Sequence, residues 1–498
     1  MDSSTSPASS RLEDVEKTDE LVAKVDPAIK VISDQLFETR LTLEWTRKRL
    51  ASPIHRLPEE MVSTIFMNVI FDFSHSDIPD STLMEQNVYE VYRSTRELGP
   101  FKLSLKRAGG SNLHLVAVAD SGSADISKNL TEVLTEYSSR FYAINLSIRD
   151  PRILVDAVDK LLQEDNTGSL TKLSIRCVNA FNNQSWLPSD DRDSYVFHHD
   201  DLRQILFTRL VGALRTFRIN GVHFHWQATT FSTRLNELWI ENITLGYDDA
   251  VVPFLQALSS ASELRDLKII TVDTFCRRNS MPGTTEAPSR VVFPNLQSLY
   301  IRDIYSNTLK SLLRMITPGS YHLTLFLRET SLQNNLYEHD FDEIEINHPE
   351  FGMANLGELC KDLERVPVHT LMLSEHSAFA IDRLTAPTLQ LLLKAMPTLK
   401  TLKMHRWVFD EALWDGLKQP HGNQADLQER NRMAALEYLQ LSEATILTDE
   451  GFQDLVASHP LQRVVLGATI AIDCSDDTTQ KPLEEGNRMV GWLKDNLP

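Results

Sequence analysis

The sequence predicts an α/β repeat fold, a solenoid whose short parallel strands stack side by side with helices along one side. Three observations carry this expectation. A six-residue frame, apolar–x–x–apolar–x–apolar, returns again and again through residues 99–498. Amphipathic helical stretches fill the gaps between frames. At 498 residues the chain also exceeds one ordinary hydrophobic core, so it needs either two domains or an elongated array.

The frame reads "LTKLSI" (170–175), "LRTFRI" (214–219), "LNELWI" (235–240), "LRDLKI" (264–269) and "LQSLYI" (296–301). It continues as "VHTLML" (368–373), "LKTLKM" (399–404), "LEYLQL" (436–441) and "LQRVVL" (461–466). "FYAINLSI" (141–148) and "YHLTLFL" (321–327) are degenerate members. The alternating end of each frame is the pattern of a short strand with one buried face. Helices are expected at "PRILVDAVDKLLQE", "VPFLQALSSAS", "NTLKSLLRMI", "PTLQLLLKAM" and "GFQDLVAS". Strand then helix, at a period of roughly 25–35 residues, resembles a leucine-rich repeat. No such unit closes a core alone. Neighbours must stack into a curved parallel sheet with helices on the convex side. A doubly wound α/β domain is the competing fold, but it calls for longer and more continuously apolar strands. The chain departs from the repeat family at the ninth position, usually Asn or Cys. Here Val178, Val222, Ile243, Val272 and Ile304 stand there, so no asparagine ladder is expected and the repeats should be irregular.

Variable positions of the frame should face the concave surface: Arg176, Arg218, Asn220, Trp239, Glu241, Lys268, Tyr300, Arg302, Lys403, His405, Tyr438 and Gln440. Arg218, Trp239, Tyr300, Arg302 and His405 are the candidates for contact with a client protein. A large aromatic on an open face either anchors a partner or packs beside an Arg stem, and both readings stand for Trp239 and Tyr300. Arg218 and Arg302 could flank them and hold an acidic or phosphorylated segment. Two polar stretches interrupt the array, "FCRRNSMPGTTEAPSR" (275–290) and the acidic "LYEHDFDEIEINHPEFG" (335–352). Both read as solvated loops, with a docking site for a basic client as the alternative for the acidic one.

The front of the chain differs. Residues 1–24 are Ser-rich and acidic with little to bury, and read as a disordered leader. Residues 25–51 read as one helix, with Asp26 as N-cap and Pro27 in its first turn. Ile29, Ile32, Leu36, Leu43 and Leu50 form its apolar seam. A second helix begins after Leu57, with Pro58 in the first turn and Glu59 and Glu60 complementing the helix dipole. Met61, Val62, Ile65, Phe66, Val69 and Ile70 give it more apolar surface than one short helix can bury, so it calls for a partner.

"PIHRLPEEMVSTIF" (53–66) resembles the start of an F-box, in the form found in fungal, basidiomycete-type proteins with repeat tails. The resemblance implies a helical module over 52–98 that docks on the Skp adaptor of a cullin–RING (SCF) ubiquitin ligase. Ile54, Leu57, Pro58, Met61, Ile65 and Phe66 would make that contact. The later Val-Cys-x-x-Trp-Arg stretch of the family is missing from residues 71–100, so the module reads as truncated.

Net charge is −19, which repels phosphate backbones and anionic lipid, so neither nucleic acid nor membrane is an expected partner. No stretch approaches eighteen apolar residues and no signal-peptide core is present, which points to the cytoplasm or nucleus. Cys177, Cys276, Cys360 and Cys474 are far apart, read as reduced thiols, and form no metal motif. In "VFHHDD" (196–201) adjacent side chains diverge. Asp200 is expected to cap a helix over "LRQILFTRL". His223 and His225 share one side of "HFHW" without an evident third ligand. No cofactor motif, nucleophile elbow or HExxH occurs, so the expected role is a non-catalytic one.

Overall fold

The computed structural model describes residues 113–119, 124–163, 169–177, 195–197, 201–277, 290–337, 350–374, 385–419, 433–472, 479–483 and 487–497. All belong to the second of the two units into which the chain divides, residues 95–498. The leader, the 25–51 helix and the F-box-like segment with Ile54, Leu57, Pro58, Met61, Ile65 and Phe66 lie outside the described residues.

Every expected frame is a strand. The sheet runs β1 (Leu113–Ala119), β2 (Phe141–Ile148), β3 (Lys172–Cys177), β4 (Thr216–Asn220), β5 (Glu237–Tyr247), β6 (Asp266–Arg277), β7 (Ser298–Arg302) and β8 (His322–Leu327). It continues through β11 (Val368–Ser374), β12 (Thr401–His405), β14 (Tyr438–Ile446), β15 (Arg463–Ile472) and β16 (Thr479–Pro482). Neighbours pair in chain order and in parallel as far as β15, and β16 closes the edge antiparallel. Three strands lie off this path: β9 (Gln333–Tyr337), β10 (Glu350–Met353) and β13 (Val408–Phe409). This is a mixed α/β, solenoid-type repeat fold, leucine-rich-repeat-like in its sequential parallel order.

Register keeps the frame in rows. Leu173, Phe217, Leu238, Leu267 and Leu299 are ladder partners in turn. Each is at most 1% exposed. A slip of one residue would turn the whole row to water, so burial specifies the pairing.

Ten helices among the described residues cover the buried side: α1 (Ala124–Tyr137), α2 (Pro151–Gln163), α3 (Leu202–Val211), α4 (Val251–Leu258), α5 (Ser306–Met315), α6 (Leu356–Leu363), α7 (Ala386–Lys394), α8 (Glu411–Leu417), α9 (Asp449–Ser458) and α10 (Arg488–Asn496). In α2, Pro151 takes the first turn, where a missing N–H costs nothing, and Asp150 Oδ1 accepts from Arg152 N. Its Ile153, Leu154, Ala157, Val158, Leu161 and Leu162 form one buried stripe. The unit after β4 has only a 3-10 turn, Trp226–Ala228, in place of an α-helix. An aromatic stack fills that gap. Phe207 stacks on Phe224 at 3.9 Å, Trp226 on Phe231 at 6.2 Å, and Phe254 meets Trp226 edge-on at 5.5 Å.

A second regularity lies at the eighth position of the frame. Gly221, Asn242, Thr271, Asp303, Arg406 and Glu443 all have left-handed backbones, with φ between 46° and 67°. Five of these are non-glycine, a conformation that costs such residues about 1–2 kcal/mol each. The turn sends the ninth residue into the core: Val222, Ile243, Val272 and Ile304 are at most 3% exposed. The amides of Gly221, Asp303 and Arg406 donate to Glu241, Phe326 and Ser442 on the following strand. Apolar burial thus stands at the position where leucine-rich repeats carry an asparagine ladder.

Three expectations need correction. Asp201, not Asp200, caps α3: its carboxylate accepts from Arg203 N and also binds the Arg203 guanidinium, which it can reach only from the position adjoining the helix. Phe275, Cys276 and Arg277 extend β6 instead of starting a loop, because Cys276 and Arg277 gain ladder partners on β9. The ends of the acidic stretch pair as the antiparallel strands β9 and β10, and residues 338–349 between them are outside the described set.

Candidate functional site

Alternation leaves the third, fifth and seventh frame positions on the side away from the helices, half-exposed in strand after strand. The fifth positions make a row across the ladder: Ser174, Arg218, Trp239, Lys268, Tyr300 and Thr324. Beside it runs the seventh row, Arg176, Asn220, Glu241, Ile270, Arg302 and Phe326, in which Ile270 and Phe326 are buried. The parallel strands carry these side chains on the ~4.8 Å interstrand spacing, close enough for rows to interact.

Trp239 sits between cations from both flanking strands. Lys268 Nζ lies 4.6 Å from its ring centroid and the Arg218 guanidinium 5.6 Å. Arg218 is itself clamped by Glu237, Nε to Oε1 at 2.9 Å and Nη2 to Oε2 at 3.2 Å, a two-pronged pair. Each cation–ring contact is worth about 0.5–1 kcal/mol at such half-exposed sites, so the ring chiefly fixes where the charges stand. Burial lowers the Lys268 ammonium pKa, against the pull of Glu237.

The same device returns three strands on, at β8. Phe326 has the Arg302 guanidinium at 5.2 Å and that of Arg328 at 5.1 Å. Both arginines meet Asp303, Arg302 Nε at 3.0 Å and Arg328 Nε at 2.9 Å. Burial raises the Tyr300 phenol pKa, so it stays a neutral hydroxyl. Burial also raises the Glu241 carboxyl pKa, opposed by the charges of Arg176 and Arg302. A third case is Tyr438, with Arg463 at 5.4 Å and Lys403 at 5.9 Å.

The structure therefore brings Arg218, Trp239, Tyr300 and Arg302 onto one side of β4, β5 and β7. His405 is not with them. It lies on β12, beyond β8 and β11, where its Nδ1 contacts Ser442 Oγ at 3.3 Å and Glu443 stands 3.9 Å from Nε2. Sequence reasoning missed Glu237, Phe326 and Arg328. Carrying the frame through the degenerate "YHLTLFL" would have placed Phe326 at a seventh position. Nothing local marks Glu237 as the clamp.

Behind the open face lies a buried polar network. Asp248 Oδ1 accepts from Thr274 Oγ1 at 2.5 Å and from Asn307 Nδ2 at 2.7 Å, and Asn307 Oδ1 accepts from Asn335 N at 3.0 Å. It ties α5 and β9 to the end of β6. His223 is buried, with its pKa pushed down to about 4 by desolvation, and His225 stacks on Tyr195 at 4.0 Å. No group of three metal-ligating side chains occurs among the described residues. Cys177, Cys276 and Cys360 are unbridged. No described helix is long and apolar enough to cross a membrane.

The sequence matches no protein-family model and no curated protein. Among solved structures, the chain is similar to the leucine-rich repeat-containing protein LegL7 from Legionella pneumophila, with 14% identity and a TM-score of 0.34 over 77% of this chain and 97% of that one. It is also similar to the plant peptide hormone receptor RGFR1 in complex with RGF2, with 10% identity and a TM-score of 0.19 over 72% of this chain and 59% of that one.

Proposed function

We propose that this chain is a non-catalytic protein-binding repeat platform that holds a client on the open face of its sheet. We further propose that it serves as the client-receptor subunit of an SCF ubiquitin ligase. The observation that carries the first reading is the pre-ordered array of Arg218, Trp239, Lys268, Tyr300 and Arg302 on adjoining strands. Rigid elements holding charged and aromatic groups in set positions lose little entropy on binding. The finer reading rests on the F-box-like "LPEEMVSTIF" (57–66) alone. In it, the chain contributes proximity: joining client and ligase raises the local concentration of client lysines near the ubiquitin-conjugating enzyme.

Co-purification of the full chain with a Skp-type adaptor tests the ligase reading. Retention by the wild type and loss in Leu57→Ala/Pro58→Ala supports it. Equal retention, or none by either, leaves a repeat scaffold without ligase recruitment.

A further inference from the structure

We propose that the open face of β3 to β8 binds an extended peptide rich in Asp and Glu, laid across the strands. This rests on the platform reading above and names the chemistry of its client. The full chain carries a net charge of −19, yet the outward side of these strands carries six cations against four acids. Lys172, Arg176, Arg218, Lys268 and Arg302 stand there, with Arg328 at the end of β8, against Glu237, Glu241, Asp266 and the eighth-position Asp303. A positive face on a strongly negative molecule steers an anionic partner to that face.

The geometry favours carboxylates spread along a chain. The cations are distributed over successive strands; the one pair that meets, Arg302 and Arg328, does so on Asp303, which already fills the place a single phosphate would need. From β3 to β8 the span is about 24 Å at the interstrand spacing, or roughly seven residues of extended peptide. Trp239 and Phe326 act as spacers that hold their flanking cations apart and in place. The arginines already donate to protein carboxylates, Glu237 and Asp303, and each guanidinium has five N–H donors, so a further carboxylate can share the fork. A single-stranded nucleic acid fits less well. Its bases need open aromatic rings to stack on, and here the protein's own cations stand over the rings.

The test uses the full chain and a fluorescein-labelled octapeptide of alternating Asp and Glu, followed by anisotropy. Binding is expected to weaken with added salt. Arg218→Gln/Arg302→Gln should weaken it about tenfold or more, while Arg209→Gln, on the exposed side of α3, leaves it unchanged. Thermal melts confirm that each variant is folded. If the double variant fails to fold, Lys268→Gln takes its place, with the same expectation of weakened binding. Equal binding of an Asn/Gln octapeptide, binding that requires phosphoserine, preference for oligouridine, or unchanged affinity in the folded variants would each overturn the proposal. If the acidic peptide fails while adaptor co-purification succeeds, only the client chemistry falls. The converse result removes the ligase reading and leaves this one.

Discussion

Trp414 and Trp239 stand on opposite faces of the same sheet and are held by different physics. Trp414, on α8, is 0% exposed, stacked on Phe409 at 4.3 Å and tilted against Phe452 at 5.5 Å. Its worth is apolar area removed from water plus close packing. Trp239 is half-exposed and touches cations, so it contributes little to folding and much to where charge is presented. One face of the repeat supplies stability, and the other presents charge to solvent.

Five measurements would break or sharpen that contrast. Trp414→Ala should lower unfolding free energy by about 3–5 kcal/mol in urea denaturation. A loss of under about 1 kcal/mol would remove the distinction between the faces. Gly451→Ala comes next. An added Cβ on α9 would lie 2.7 Å from Trp414 Cγ, so the substitution should cost about 1–3 kcal/mol by overpacking. Combined with Trp414→Leu, that cost should shrink, because the two sites share one space.

The third measurement is the pH dependence of an enclosed carboxyl. Asp273 Oδ1 is shut off from solvent without a hydrogen-bond partner among the described residues. Its pKa is pushed up to about 7 by burial and by the charge of Asp303. Its unfolded value is 3.8, so the stability it contributes is full below pH 3.8 and is lost as pH rises to 7. Asp273→Asn should therefore raise the melting temperature relative to wild type at pH 8, with little gain at pH 4. His223 runs oppositely: with its pKa lowered from 6.5 to about 4, it makes the fold lose stability as pH falls through that window. His223→Gln should flatten the acid limb of the stability profile. The smallest effect belongs to Trp239→Ala, at under about 1 kcal/mol, since Glu237 still clamps Arg218. A larger loss would make this ring part of the core.

Much of the fold was legible because strand burial has a period of two and each frame carries its own signal. The strands missed, β1, β9, β10, β13 and β16, lack the frame. The helices α1, α6, α8 and α10 were missed too; in α8, Trp414 packs on Phe409 of its own unit and Phe452 of the next instead of along a stripe of its own. The candidate site was half legible. Periodicity named Arg218, Trp239, Tyr300 and Arg302, but it could not say that His405 stands apart. The seam between β8 and β11, with its register shift at Val368/Thr370, is invisible in the frames themselves.

What the sequence determined by itself was which residues alternate inward, and so the strands, the buried rows and the side that stays open. The tertiary structure alone decided the partners of the outward side chains. Glu237 clamps Arg218 and Lys268 stands over Trp239 because the parallel ladder sets neighbouring repeats in register. The same holds for the left-handed corners at Asn242, Thr271, Asp303, Arg406 and Glu443, whose strain is tolerated because the following residue gains a place in the core. Burial is written in local periodicity. Pairing between distant repeats depends on contacts that no single repeat contains.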